Sequence, residues 1–301
     1  MTCPPKKLIT VLTPTYNRAH LLPDLYRSLC EQTCHAFDWL IVDDGSTDET
    51  RELVFQWKKE NSSFHIAYFW KENNGKNRAV NDGVLLIETP FTMIIDSDDL
   101  LVEDAIVFLS SAAEEILNDN TIAGVSALRG LSVDTPLQKP SFPPGQFVLA
   151  NNLERQYYQL DRDACEVYRT ALLRKHPFGV WPRETFVPEE IVWNTIALEG
   201  LRLRWYHKVT CLVRYQTDGL SATSLKLQQS NPMGYASLFK HRVSLSSSFQ
   251  KRMYWNCQLF AQCFLGKHLV YGLKDNFSLC SLLSLPLGGV LAIRRLFQYK
   301  D

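Results

Sequence analysis

Short apolar runs alternate with longer amphipathic stretches from Leu8 to Leu128. The runs predict strands at Leu8–Thr13, Trp39–Val42, Phe64–Phe69, Phe91–Ile95 and Ile122–Leu128. Between them, apolar positions recur at helical spacing over His20–Gln32, Thr47–Lys59, Lys76–Ile87 and Glu103–Leu117. Strand and helix in alternation predict an α/β fold, a parallel sheet with helices on both faces. Gly130 to Asp163 is irregular and proline-rich, a long loop of the kind that is usually functional or mobile. A helix opens in Phe186–Asn194, reaches Leu198 and stops at Gly200. Arg202–Tyr215 then alternates like a strand, and Gln216–Ser221 reads as a turn. Beyond Asn231 the period is helical throughout, over Pro232–Leu245, Ser248–Leu265 and Phe277–Tyr299. In the middle helix Met253, Cys257, Phe260 and Phe264 form a packing stripe.

Every polar cluster of the first half follows a strand, where ligands of such sheets bind. The strand at Phe91–Ile95 runs into Asp96, Ser97, Asp98 and Asp99. Carboxylates this close repel unless a cation shares them, and all-oxygen donors favour Mg²⁺ or Mn²⁺. The competing reading is acids favoured by the dipole of the following helix. The first strand exits through Thr13-Pro14-Thr15-Tyr16-Asn17-Arg18, where Tyr16 offers a stacking face and Asn17 an amide able to read a base edge; a plain helix-capping loop is the alternative. After the second strand come Asp43 and Asp44, placed to accept hydrogen bonds from a ribose or base, then Gly45 for a tight turn. Ser46 and Glu49 have capping-box spacing. The third exit, Asn73-Asn74-Gly75-Lys76-Asn77-Arg78, opens a helix carrying Asn81 and Asp82, and its basic first turn suits an anion.

The ordered set TPTYNR, VDDGSTDE, NNGKNRAVNDG and DSDD resembles the nucleotide-sugar-binding half of GT-A-fold glycosyltransferases of family 2, over residues 6–130. The resemblance implies a GT-A, Rossmann-like, mostly parallel sheet with a helical C-terminal extension. It divides the chain into a catalytic domain, residues 1–225, with a donor half (1–130) and an acceptor half (131–225), and an extension, residues 226–301. Residues 164–178 resemble the family's strand and short helix under the acceptor side. By position, Pro14, Thr15, Tyr16, Asn17, Asp43, Asp44, Gly75, Lys76, Asn81 and Asp98 would hold the nucleotide sugar. Asp96, Asp98 and Asp99 match the family's metal-binding acids, with Asp99 or Asp96 as the direct ligand. An inverting transfer also needs a base for the acceptor hydroxyl. Glu189 and Glu190 stand where the family keeps its acidic pair, and spacing to Gly200 favours Glu189; both would also serve the helix dipole. The function implied is transfer of a sugar from a nucleotide-diphospho-sugar, with UDP as the expected nucleotide, to a carbohydrate or lipid-linked acceptor in polysaccharide synthesis. The rivals are a scaffold protein that keeps the fold and a nucleotidyltransferase, which would carry a glycine-rich phosphate loop that Thr13–Arg18 lacks.

Charge changes this picture only in the tail. The 301 residues have no net charge, yet residues 1–200 hold 18 Lys and Arg against 29 Asp and Glu, and residues 201–301 hold 14 against 3. An acidic front suits cation-assisted work; a basic rear suits phosphates or an anionic membrane surface, unless it is only a set of solvated helix faces. The last segment joins a leucine-rich run to Arg294, Arg295 and Lys300, the pattern of an amphipathic helix lying in a bilayer interface, or of one packed on the catalytic domain. Its apolar run, Phe277–Ile293, is broken by Pro286, Gly288 and Gly289 and falls just short of a spanning length. Nucleic acid is not an expected partner, since the basic residues are interleaved with long apolar helices. The eight cysteines show no zinc spacing and are expected as free thiols, with Cys30 and Cys34 one turn apart on a helix. With no apolar signal core before the first strand, the expected location is the cytoplasm, with peripheral contact at the inner face of the membrane.

Overall fold

The computed structural model describes residues 3–4, 6–214 and 224–298. The expected turn at Gln216–Ser221 lies outside the described residues, as do Tyr215 and the end of the chain from Tyr299. The chain forms two compact units, residues 1–177 with 192–216 and residues 178–191 with 217–301.

The first unit is built on one twisted sheet. Its opening half is β1 (Ile9–Thr15), α1 (Leu22–Cys30), β2 (Phe37–Asp43), α2 (Thr50–Glu60), β3 (His65–Trp70), α3 (Lys76–Leu86) and β4 (Phe91–Ile94). Then come β5 (Leu100–Leu101), α4 (Ala105–Glu115), β6 (Ile122–Ser132), β7 (Thr135–Pro136), β8 (Phe147–Ala150), β9 (Ala164–Arg169) and α5 (Thr170–Lys175). Beyond it lie α6 (Glu190–Leu198) and β10 (Arg202–Leu212). The strand order is β3-β2-β1-β4-β9-β6-β10-β5, with β7 on β6 and β8 on β10. The four strands from β3 to β4 are parallel, and all of β1 is buried, which is why it reads as an unbroken apolar run.

The fifth predicted strand does not join β4. Instead β9 inserts between β4 and β6 and runs antiparallel to both. It enters from the stretch expected to be a loop, part of which is strand: Phe147–Ala150 pairs antiparallel with β10. Antiparallel neighbours need no helical crossover, so these short strands leave no alternating signature in the sequence. Packing of helix on sheet is close. A Cβ placed on Gly83 of α3 would lie 2.6 Å from Leu12 Cδ1 and 2.8 Å from Val42 Cγ2.

Two local expectations are corrected. Ser46 and Glu49 form no capping box: the Ser46 hydroxyl accepts from Asn17 N (2.8 Å), and Asp48 accepts from Thr50 N (3.2 Å) where α2 starts. The cysteines are not all free. Helix α1 ends at Cys30, so Cys34 lies beyond it and forms a disulfide with Cys3.

The second unit is helical: α7 (Ser224–Ser230), α8 (Pro232–Leu245), α9 (Phe249–Leu265), α10 (Leu269–Leu273) and α11 (Leu279–Gln298). The segment at 178–191 is tied to α8. Asn231 Oδ1 accepts from Thr185 N (2.7 Å) and Phe186 N (2.9 Å), and Glu184 accepts from Met233 N and Gly234 N (2.7 Å each). The Glu184 bonds satisfy buried donors in the first turn of α8, and the Asn231 bonds those of Thr185 and Phe186. Leu259, Phe260 and Cys263 of α9 are fully buried; Phe260 belongs to the expected stripe. Helix α11 is continuous, with Pro286 inside it.

Candidate functional site

The C-terminal ends of β1, β2 and β4 and the start of α3 carry the clustered polar residues. Pro14 and Thr15 finish β1 beside Val42 and Asp43 of β2. Thr15 is buried, and its hydroxyl makes no hydrogen bond. Tyr16 is 48% exposed, so its ring is open to stacking. Asn17 takes a left-handed backbone (φ 52°), and its side-chain oxygen accepts from Thr47 N at 2.8 Å. That amide oxygen therefore fastens the first loop to the second.

The paired acids after β2 also hold loops together. Asp43 is fully buried; its carboxylate accepts from Ser46 N (2.8 Å) and from the Tyr68 hydroxyl (2.5 Å). Burial and the bond to Asp43 raise the Tyr68 phenol well above its usual range. Asp44 is 3% exposed and accepts from Asn74 N (3.0 Å) and Gly75 N (2.7 Å). Gly75 has φ 94° and caps α3, so Asp44 satisfies donors at that helix start from a distant strand. Asn81 lies in the second turn of α3.

Lys76, the first residue of α3, reaches Asp96 Oδ1 at 2.7 Å. Burial works to raise the Asp96 carboxyl, but the charges of Lys76 and Arg129 outweigh it and hold it below the usual carboxylate range. Two residues on, burial and the charge of Asp96 raise Asp98, which makes no ion pair among the described residues. Asp99 is 4% exposed and is gripped by Arg129 Nη1 at 2.7 Å. Burial pushes the Asp99 carboxyl up to about 7, with Asp96 and Asp98 adding to it and Arg129 opposing.

These contacts sort the expected metal ligands. No cluster of three or more His, Cys, Asp or Glu side chains suited to an ion occurs among the described residues. Asp96 and Asp98 nevertheless fit a hard divalent ion of the kind bound by one or two carboxylates with open positions for phosphate. Such an ion would relieve the repulsion that raises Asp98. Asp99 is already engaged through Oδ2 by the Arg129 guanidinium, as Asp96 is by Lys76 through both of its oxygens, so an ion would take the place of a protein cation at either acid. Sequence reasoning missed Arg129. Its signal was an arginine at the end of an otherwise apolar strand, and its Nε also donates to Ala164 O (3.0 Å).

Glu189 and Glu190 belong to the second unit. There Arg242 holds Glu190 with two bonds, Nε to Oε1 at 3.0 Å and Nη2 to Oε2, and stacks on the Trp255 ring at 4.6 Å.

The sequence profile of glycosyl transferase family 2 matches residues 10–178, more than half of the chain. The chain belongs to glycosyl transferase family 2. Among curated relatives, a putative teichuronic acid biosynthesis glycosyltransferase of Bacillus subtilis is 33% identical over 99 residues, 33% of this chain and 39% of the relative. The match thus spans well under half of that relative's length. Among solved structures, residues 1–349 of Staphylococcus aureus TarS in complex with UDP-GlcNAc align over 93% of this chain and 79% of that fragment, at 16% identity and a TM-score of 0.59. A mannosyltransferase of Pyrobaculum calidifontis in complex with GDP-Man and Mn²⁺ aligns over 96% and 81%, at 19% identity and a TM-score of 0.57. At these identities the two structures establish the GT-A fold of this family 2 member, with its added C-terminal helices.

Proposed function

We propose that the protein is a metal-dependent, inverting glycosyltransferase that takes its sugar from a nucleotide-diphospho-sugar, preferably UDP-linked, for polysaccharide or lipid-linked glycan synthesis. The observation that carries the reading is the arrangement at the end of β4, where Lys76 from the first turn of α3 pairs with Asp96, two residues before Asp98. Acids that want a cation stand beside a lysine that can turn to an anion. A metal diphosphate satisfies both.

In this reading Tyr16 stacks on the base, and the backbone around Thr15 and Asn17 lines the nucleoside. Asp43 and Asp44 shape that wall as much as they touch the ligand, because their oxygens already accept protein donors. Asp96 and Asp98 would hold Mg²⁺ or Mn²⁺, which would supply Lewis-acid stabilisation to the leaving diphosphate. Lys76 turns from Asp96 to a phosphate oxygen and adds positive charge where the leaving group becomes more negative. Arg129 keeps Asp99, and with it the turn that carries Asp98, in place. Glu189 takes the proton of the acceptor hydroxyl as that oxygen attacks the anomeric carbon.

The test is thermal denaturation with UDP, GDP, CDP or TDP, each with Mn²⁺, Mg²⁺ or a chelator. A ligand that binds only the folded state raises the melting temperature by mass action. One nucleotide should stabilise the protein with metal and lose its effect with chelator. Absence of any shift, together with no release of nucleoside diphosphate from sugar nucleotides, overturns the reading.

A further inference from the structure

Helix α11 is amphipathic in the reverse of the usual sense. Toward the protein it turns Cys280, Ser281, Ser284, Gly288 and Ala292, all buried. Away from it stand Leu282, Leu283, Leu287, Val290, Ile293 and Phe297, between 45% and 67% exposed. A soluble helix puts its large apolar residues inside. Here the fully buried positions are all small, and most of the large residues face outward. Gly288 shows why the inner face must be small: a Cβ there would lie 2.5 Å from Phe260 Cβ and 3.1 Å from Ala261 N of α9.

We infer that the outward face of α11 inserts into the surface of an anionic lipid bilayer, with the helix lying along the membrane plane. Charge favours lipid over a second protein surface. No acidic residue occurs between Asn276 and Lys300, while Arg294 and Arg295 follow the apolar run. Arg294 is exposed, and anionic headgroups attract such residues at the rim of an inserted face.

Length alone would permit a crossing helix, since α11 meets the size and hydropathy expected of one. Its packing argues for the in-plane arrangement. Helix α9 lies against α11 from Ser284, whose hydroxyl reaches Met253 Sδ at 3.2 Å, to Arg295, which donates to Gln258. A spanning α11 would carry α9 into hydrocarbon together with its Lys251, Arg252 and Gln258. Insertion of one face leaves those residues in water. Pro286 fits the same arrangement: it deprives the Leu282 carbonyl of its helical donor, a loss that water or headgroups repair at an interface.

The test is co-sedimentation of the full chain with vesicles of phosphatidylglycerol and phosphatidylcholine, with no nucleotide or metal present, so that its outcome is independent of the transferase reading. The wild-type chain should pellet with anionic vesicles and do so less at high salt. Leu283→Asp with Leu287→Asp should weaken partitioning about tenfold or more. Leu283→Ser with Val290→Ser, a milder pair at exposed positions, should weaken it with an unchanged thermal melt, which separates lost insertion from lost folding. Arg294→Gln should weaken binding to anionic vesicles and leave binding to pure phosphatidylcholine unaltered. A wild-type chain that stays in the supernatant at low salt overturns the inference, as do serine variants that bind like wild type. A concentration-dependent dimer in sedimentation velocity that the serine pair abolishes, without vesicle binding, would assign the face to a second copy instead.

Discussion

Removing the Asp44 carboxylate should cost far more than removing an ordinary surface acid. Asp44 is 3% exposed and receives two backbone donors, Asn74 N at 3.0 Å and Gly75 N at 2.7 Å, with Lys71 Nζ at 3.7 Å. In Asp44→Ala both N–H groups lose their acceptor at a place where side-chain volume has also been removed. A stranded buried donor costs about 1–3 kcal/mol, so two give about 2–6 kcal/mol, an upper range for this part-buried pair. Water entering the space left by the side chain brings the value toward the lower end. Asp44→Asn keeps one carbonyl oxygen but sets an amide N–H₂ against the other donor, and should fall roughly midway. Urea denaturation of the three proteins gives the energies. Hydrogen exchange at Asn74 and Gly75 shows whether the loss is local, and both amides should exchange faster in the alanine variant. A loss below about 1 kcal/mol, or unchanged exchange at those amides, would refute the claim that Asp44 closes the start of α3.

Three further outcomes are expected. Arg129→Met breaks the buried pair with Asp99 and should lower stability by about 3–5 kcal/mol in chelator, read by urea titration. Reducing the Cys3–Cys34 disulfide, which closes a loop with a sequence separation of 31, should cost about 3–4 kcal/mol by the chain-entropy relation, visible as a lower melting temperature with reductant that Cys34→Ser reproduces without it. Glu189→Gln should keep nucleotide-induced stabilisation and lose turnover, whereas Glu190→Gln should retain turnover and lose about 1 kcal/mol through its weakened, partly exposed pair with Arg242; the opposite split would move the base to Glu190.

Local pattern made most of the fold legible. The long elements announce themselves by period: α8 begins and ends where apolar spacing places it, and β1 is apolar because both its faces are covered. What failed depends on partners far away in sequence. Nothing near Phe147 indicates that it will lie antiparallel to Tyr206, and β9 reads as a strand without revealing which neighbours it separates. The helix expected across Pro286 does form, and Gly288 and Ser284 let it settle against α9, a contact the sequence does not reveal and one that outweighs one lost hydrogen bond. In the site, acid positions were readable but their duties were not. Tyr68 lies 25 residues from Asp43, and Arg129 lies 30 from Asp99, so only the fold shows which carboxylates are already engaged.

The close seating of α11 on α9 bears on any attempt to make the protein easier to handle. Cutting the chain before Leu279 would remove the outward leucines, but it would also uncover Phe260 and Ala261, which have 0% exposure in the intact fold, together with Asn256 at 1%. One sticky surface would be exchanged for another, and a buried amide would lose its Cys280 neighbour, now at 3.6 Å. Repainting the outer face with polar side chains while keeping the small inner residues is the route that preserves the molecule.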